Sequence, residues 1–140
     1  MSVEFCDTNL FVYAYDRSAG EKHHRARDVV NGLWQSANGA LSIQVLQELF
    51  VTLTRKLATQ LTLQDARSLI ADLATWRVVE PNRQDVLEAI DNSQRWRISF
   101  WDAMLLTTAD KAGASVLWSE DLNHGQVYGG VTVCNPFREP

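Results

Sequence analysis

Short apolar runs that alternate with stretches of helical period constrain this chain more than any other feature. Val3–Cys6 is a four-residue apolar run halted by Asp7, and Thr8–Tyr15 then gathers Leu10, Phe11, Ala14 and Tyr15 on one helical face. Residues 20–36 set a stripe of Ala26, Val29, Val30, Leu33 and Trp34 against a face of Glu21, Lys22, Arg25, Arg27 and Asp28. Asn38-Gly39 signals a turn before a short strand at 40–42. Residues 43–57 return to helical period with Val45, Leu46, Leu49, Phe50 and Leu53. Thr62 is placed to cap a helix over 63–75, with Asp65 in its first turn. A strand at 76–79 stops at Glu80-Pro81, and Asn82 is predicted to cap a helix through Arg95, with Val86, Leu87, Ala89 and Ile90 inward. Residues 100–112 form the last helix, with Gly113 at its C-terminal end. Strands at 115–118 and Val131–Cys134 bring the total to about five. Strands this short, separated by helices, predict an α/β domain with a central, mainly parallel and buried sheet.

The 140 residues fit one domain, expected to span 1–140. A chain of this length buries roughly two-thirds of its unfolded surface and needs no disulfide staples. Cys6 and Cys134 lie in apolar runs without CxxC spacing, so they are expected as buried, inert thiols and not as a zinc site. No apolar run approaches membrane length. The first seven residues lack a basic stretch followed by an apolar core, so a cytoplasmic protein without a signal peptide is expected. With 13 Lys+Arg against 17 Asp+Glu, the net charge of −4 excludes a polybasic nucleic-acid binder. It does not exclude an enzyme that acts on nucleic acid.

Ligands of open parallel sheets bind outside the carboxyl ends of the strands, and acids occupy those places here. Asp7 ends the first strand, Asp121 follows the strand at 115–118, and Asp102 opens a helix after Ile98, Ser99 and Phe100. Glu48 lies inside a helix, along the edge of an apolar stripe. Singly, the three aspartates read equally well as helix caps, and Glu48 as an acid paired with an arginine. Together on one rim they repel, at roughly 1 kcal/mol per close pair in water and roughly 4 at intermediate dielectric. Hard oxygen ligands with few His or Cys beside them select Mg²⁺ or Mn²⁺ to neutralise such a cluster.

Four blocks, in order, resemble the PIN domains, the last in the form common among VapC-type toxins. They are Asp7-Thr8-Asn9-Leu10-Phe11-Val12-Tyr13-Ala14, Ser42-x-Gln44-Val45-x-x-Glu48, Trp101-Asp102-Ala103, and Ser119-Glu120-Asp121-Leu122-Asn123-His124-Gly125. The resemblance covers essentially the whole chain. It implies a PIN-like fold and a Mg²⁺-dependent endoribonuclease, with Mn²⁺ able to substitute. Such an enzyme is the toxin of a type II toxin–antitoxin pair and hydrolyses an RNA phosphodiester with a metal-activated water. Carried over, the acidic quartet is Asp7, Glu48, Asp102 and Asp121, with Thr8, Asn9, Ser119 and Asn123 as polar support. Asp7 and Asp102 are the foremost direct ligands. Asp121 acts directly or through water, and Glu48 as a ligand or as the group that deprotonates the nucleophile. Many PIN domains carry a further acid where this chain has Asn123, which weakens the case for a second metal. Glu120 is an extra acid whose direction the sequence leaves open.

The resemblance also implies a homodimer and a small antitoxin protein. Part of the stripe Leu49, Phe50, Leu53, Leu57, Leu61, Leu63, Leu69, Ile70 and Leu73 would then serve as a groove or dimer face, if it is not all core. Lys22, Arg25, Arg27, Arg55, Lys56, Arg95 and Arg97 form a partial phosphate footprint or solvated helix faces. Trp96 and Trp101 either stack on unpaired bases or belong to core and interface. His23-His24 looks like a metal pair but lies on a charged face, so it reads as solvated or at the rim of an RNA site, and His124 as a loop hydrogen bond or a phosphate contact. Two other readings stay open: a non-toxin nuclease of this fold acting in RNA processing or on DNA, and a non-catalytic metal- or partner-binding module. A phosphate-accepting receiver domain needs a lysine at a late strand end, whereas Lys111 falls inside a helix.

Overall fold

The structure, a computed structural model, describes residues 2–138. The elements run β1 (Val3–Cys6), α1 (Thr8–Tyr15), α2 (Glu21–Ser36), β2 (Gly39–Ser42), α3 (Ile43–Val51), α4 (Leu63–Leu73), β3 (Arg77–Val79), α5 (Arg83–Trp96), α6 (Phe100–Lys111), β4 (Ala114–Trp118), β5 (Val127–Tyr128) and β6 (Val131–Cys134). The strands form one sheet in the order β3-β2-β1-β4-β6-β5. All neighbours are parallel except β5 and β6, which pair antiparallel. The expected mainly parallel α/β sheet is therefore present. A sixth strand is added at one edge, where Val127 faces Thr132 and Tyr128 faces Val131.

The apolar runs are strands because both faces of the sheet are covered. Phe5, Ala40, Leu117 and Val133 pack against Leu106 and Ala109 of α6. Cys6 and Leu41 turn the other way, toward Leu10, Phe11, Val45, Leu49, Leu53 and Leu73. Strands buried on both faces lose the apolar–polar alternation of a half-exposed sheet, which is why they read as continuous runs. Truncating a fully buried ring such as Phe5 to alanine would cost about 3–5 kcal/mol.

Helix starts follow the sequence signals. Thr62 Oγ1 accepts from the Asp65 N–H at 3.1 Å, and Asn82 with Asp85 forms a reciprocal capping box. Gly113 adopts φ +78 after the last turn of α6. Three expectations need correction. The helix predicted over 43–57 is α-helical only to Val51, and Thr52–Lys56 widen into a π turn before extended Leu57. On α5, Val86, Leu87 and Ile90 are exposed, while Asp85, Ala89, Asn92 and Ser93 face inward. Small polar side chains let α5 lie close to α6, where Asn92 Nδ2 donates to Thr107 Oγ1 at 3.1 Å. His23 is buried and not solvated, with its Nδ1 2.9 Å from the Tyr13 carbonyl. Both cysteines are free, and burial pushes both thiols up, Cys6 well above its ordinary range. No described helix is long and apolar enough to cross a membrane.

Candidate active site

From β1 the chain builds outward to β2 and β3, then crosses to the other side of β1 to lay down β4. The reversal falls between β1 and β4, and such a switch point opens a crevice at the carboxyl ends of the two strands. Asp7 follows β1 directly, and Ser119 and Asp121 follow β4. The strand ends are tied by the Asp7 N–H donating to the Trp118 carbonyl at 3.1 Å and the Ser119 N–H donating to the Cys134 carbonyl at 3.1 Å.

A cleft of about 320 Å³ occupies this crevice, and Asp7, Glu48, Asp102 and Asp121 all line it. The structure thus brings together four acids from four separate segments. Thr8, Ser42 and Thr108 add hydroxyl-bearing walls, and Val45, Trp101, Met104 and Leu105 form an apolar side. No Lys or Arg lines it.

Asp7 caps α1, its Oδ1 accepting from the Thr8 N–H at 2.7 Å, while Oδ2 accepts from the Ser119 hydroxyl at 3.1 Å. Ser119 Oγ also accepts the Asp121 N–H at 3.2 Å, so one buried serine orients two acids. Glu48 is more exposed than its stripe suggested, yet both oxygens are engaged. Oε2 accepts from Thr8 Oγ1 at 3.0 Å, and Oε1 from Gln44 Nε2 at 2.8 Å. Asp102 sits in the first turn of α6, where Ser99 Oγ takes its N–H at 3.1 Å. The α6 cap is therefore Ser99, which leaves the Asp102 side chain directed to the cleft that it lines.

The electrostatics are one-sided. Burial above all pushes the Asp7 carboxyl up to about 6, and the charges of Asp121 and Glu48 push the same way. The hydrogen bonds from the Thr8 N–H and the Ser119 hydroxyl pull it down without prevailing. Desolvation, with the two neighbouring carboxylates adding to it, disfavours the Asp7 anion, and a bound cation would offset both effects. Among the described residues, no three His, Cys, Asp or Glu side chains converge closely enough to hold a metal ion by themselves. The donor set still fits Mg²⁺, which dehydrates reluctantly and is commonly held by one or two carboxylates, water and substrate phosphate.

Of the supporting residues predicted from sequence, Thr8 and Ser119 meet the acids, as described above. Asn9 is exposed on α1, and Asn123 Nδ2 donates instead to Gln126 Oε1 at 3.1 Å; neither lines the cleft. Gln44 and Ser42, named in the second block but given no role from sequence, also line the site; their place in that block and the i,i+4 spacing of Gln44 and Glu48 were the available signals. Glu120 points away from the cleft, its Oε1 accepting from the Tyr13 hydroxyl at 2.9 Å. His124 Nδ1 accepts the Asn135 N–H at 3.0 Å, a loop hydrogen bond. Lys22, expected as a phosphate contact or a solvated residue, is bound to Glu120 at 2.9 Å. Arg25 donates to the Pro136 and Arg138 carbonyls, and Arg95 to Asn92 Oδ1 at 2.6 Å.

A family model for the PIN domain matches residues 5–130. No curated protein matches the chain. Among solved structures, a toxin-antitoxin complex from Klebsiella pneumoniae aligns with TM-score 0.70 at 17% identity, over 99% of this chain and 100% of that one. DNA-bound VapBC from Salmonella typhimurium aligns with TM-score 0.64 at 15% identity, over 95% and 97%. VapC20 of Mycobacterium tuberculosis, described as a sarcin-ricin loop cleaving toxin, aligns with TM-score 0.60 at 21% identity, over 84% and 89%. At these identities the likeness is one of fold.

Proposed function

The chain belongs to the PIN domain family, and from that premise we propose that residues 1–140 form a single domain acting as a Mg²⁺-dependent endoribonuclease, the toxin of a toxin–antitoxin pair. The observation that carries this reading is the cleft at the β1/β4 switch point, lined by four acids from separate segments and by no cation of the protein's own. Asp7 and Asp102 would hold the metal directly, and Asp121 directly or through water. When bound, Mg²⁺ supplies positive charge to the scissile phosphate and lowers the pKa of a water. Ser119 fixes the orientation of Asp7, and Thr8 with Gln44 fixes that of Glu48. Glu48, reachable from solvent, accepts the proton of the attacking water.

Leu57, Leu61 and Leu69 line a second groove of about 760 Å³ with Tyr15, while Leu49, Leu53 and Leu73 are core. That groove supports an antitoxin segment as partner. The exposed Val86, Leu87 and Ile90 of α5 support a second copy of the chain as the other. The solved toxin–antitoxin complexes with this fold support the antitoxin partner.

The deciding experiment is induced expression of the wild type and of Asp7→Asn, with mapping of cellular RNA ends. New ends with the wild type alone carry the reading. Equal ends with both variants remove Asp7 from the chemistry, and no ends with either, given folded protein, reduce the site to a binding module.

A further inference from the structure

Two tryptophans were candidates for contact with nucleic acid, and the structure separates them. Trp96 is covered: its ring packs edge-on against Tyr128 at 5.3 Å, and the Arg95 guanidinium lies 5.0 Å over it. Trp101 is 66% exposed, at the second position of α6, beside Asp102. Its indole is steadied by Phe100, ring centroids 5.1 Å apart at 73°, and it lines the acidic cleft. Val45 and Leu105 continue the apolar side next to it. The cleft lining therefore joins four acids to apolar side chains, among them the largely exposed Trp101 ring. With no Lys or Arg in its lining, the cleft offers no side-chain cation to hold a phosphate.

We propose that Trp101 is a stacking platform for an unpaired base of the nucleotide next to the scissile phosphate. The proposal rests on the ribonuclease reading above. A flat apolar surface beside a metal-dependent phosphodiester site matches what a nucleotide presents, a π-face one sugar away from a phosphate. Stacking on aromatic side chains is open to bases splayed out of single strands and loops, and closed to bases inside an A-form helix.

The test measures cleavage of a short single-stranded RNA and of the same RNA lacking one base beside the cut. Wild type, Trp101→Ala and Trp101→Phe are compared, with Mg²⁺ affinity and thermal midpoint measured for each. Trp101→Ala should lower kcat/KM by about 5- to 100-fold, with Trp101→Phe recovering most of it. Mg²⁺ affinity and thermal midpoint should stay at the wild-type values. Removing the base should cost the wild type a similar factor and cost Trp101→Ala almost nothing more. Additive losses, or a fully paired duplex cut as well as the single strand, would overturn the proposal while leaving the nuclease intact. So would full activity of Trp101→Ala together with loss of self-association in light scattering, which would assign Trp101 to a protein interface. Absence of cleavage by every protein would instead remove the nuclease reading, and this proposal with it.

Discussion

Lys22 and Glu120, separated by 98 residues, meet at 2.9 Å, and the Tyr13 hydroxyl donates to the other oxygen of the same carboxylate. The Lys22 ammonium also lies 4.8 Å above the Tyr13 ring and 5.3 Å from that of Phe137. Glu120 immediately precedes Asp121, so α1 and α2 hold the loop that delivers an acid to the cleft. Lys22→Met should lower RNA cleavage by about tenfold through misplacement of that loop. The half-exposed pair should cost less than about 1 kcal/mol of folding stability. Parallel kinetics and urea unfolding check both figures; an unchanged kcat/KM would show that the loop holds itself.

Asp7→Asn should remove cleavage and stabilise the metal-free protein. The folded chain keeps the Asp7 proton up to about pH 6, whereas the unfolded chain releases it near the ordinary value of 3.8. Stability from this group is therefore present below about pH 4, lost as pH rises to about 6, and stays lost above. The isosteric amide escapes that loss. It should gain on the order of 1–2 kcal/mol at neutral pH, less than the full shift because the side chain keeps some contact with solvent. A lower unfolding midpoint for Asp7→Asn at neutral pH would contradict this.

Proton and cation should compete at Asp7. Between about pH 7 and about pH 5, a carboxyl titrating near 6 passes from mostly ionised to mostly protonated, so divalent-ion affinity should fall by about tenfold. Calorimetric titration of Mn²⁺ at the two pH values reads this directly. In Asp7→Asn the pH dependence should flatten; if it persists unchanged, another acid controls binding.

Gly39→Ala should destabilise the fold without touching the cleft. A Cβ at this position would run into two atoms of the Trp76 ring, which also packs edge-on against Phe11 and Trp34. Displacing an indole wedged between two other rings should cost about 1–3 kcal/mol. A shift in tryptophan emission with an earlier denaturant midpoint would report it, and wild-type stability would mean that Trp76 moves freely.

The sheet was legible because its central strands are buried on both sides and so appear as apolar runs ending at turn or acid residues. Asp7, Asp102 and Asp121 were legible for the same reason, since element ends are visible in a sequence. What escaped depends on packing between elements. Two residues of β5 have no period to detect. The inward face of α5 is chosen by its fit to α6, so Asn92 and Ser93 are covered while Leu87 is not. His23 falls on the stripe of Ala26 and Val30, but its polarity hides this until the Tyr13 carbonyl is seen beside it. The Glu120 clamp joins three segments whose proximity only the fold creates.

The order of the strands also governs when the site can come into existence. β1 emerges first during synthesis, yet its partner on one side, β4, begins at Ala114. A nascent chain that stops just short of that point has Asp7, Glu48 and Asp102 but neither Ser119 nor Asp121. Pairing across so much sequence closes late. The cleft therefore takes its final shape only after the chain has passed Asp121.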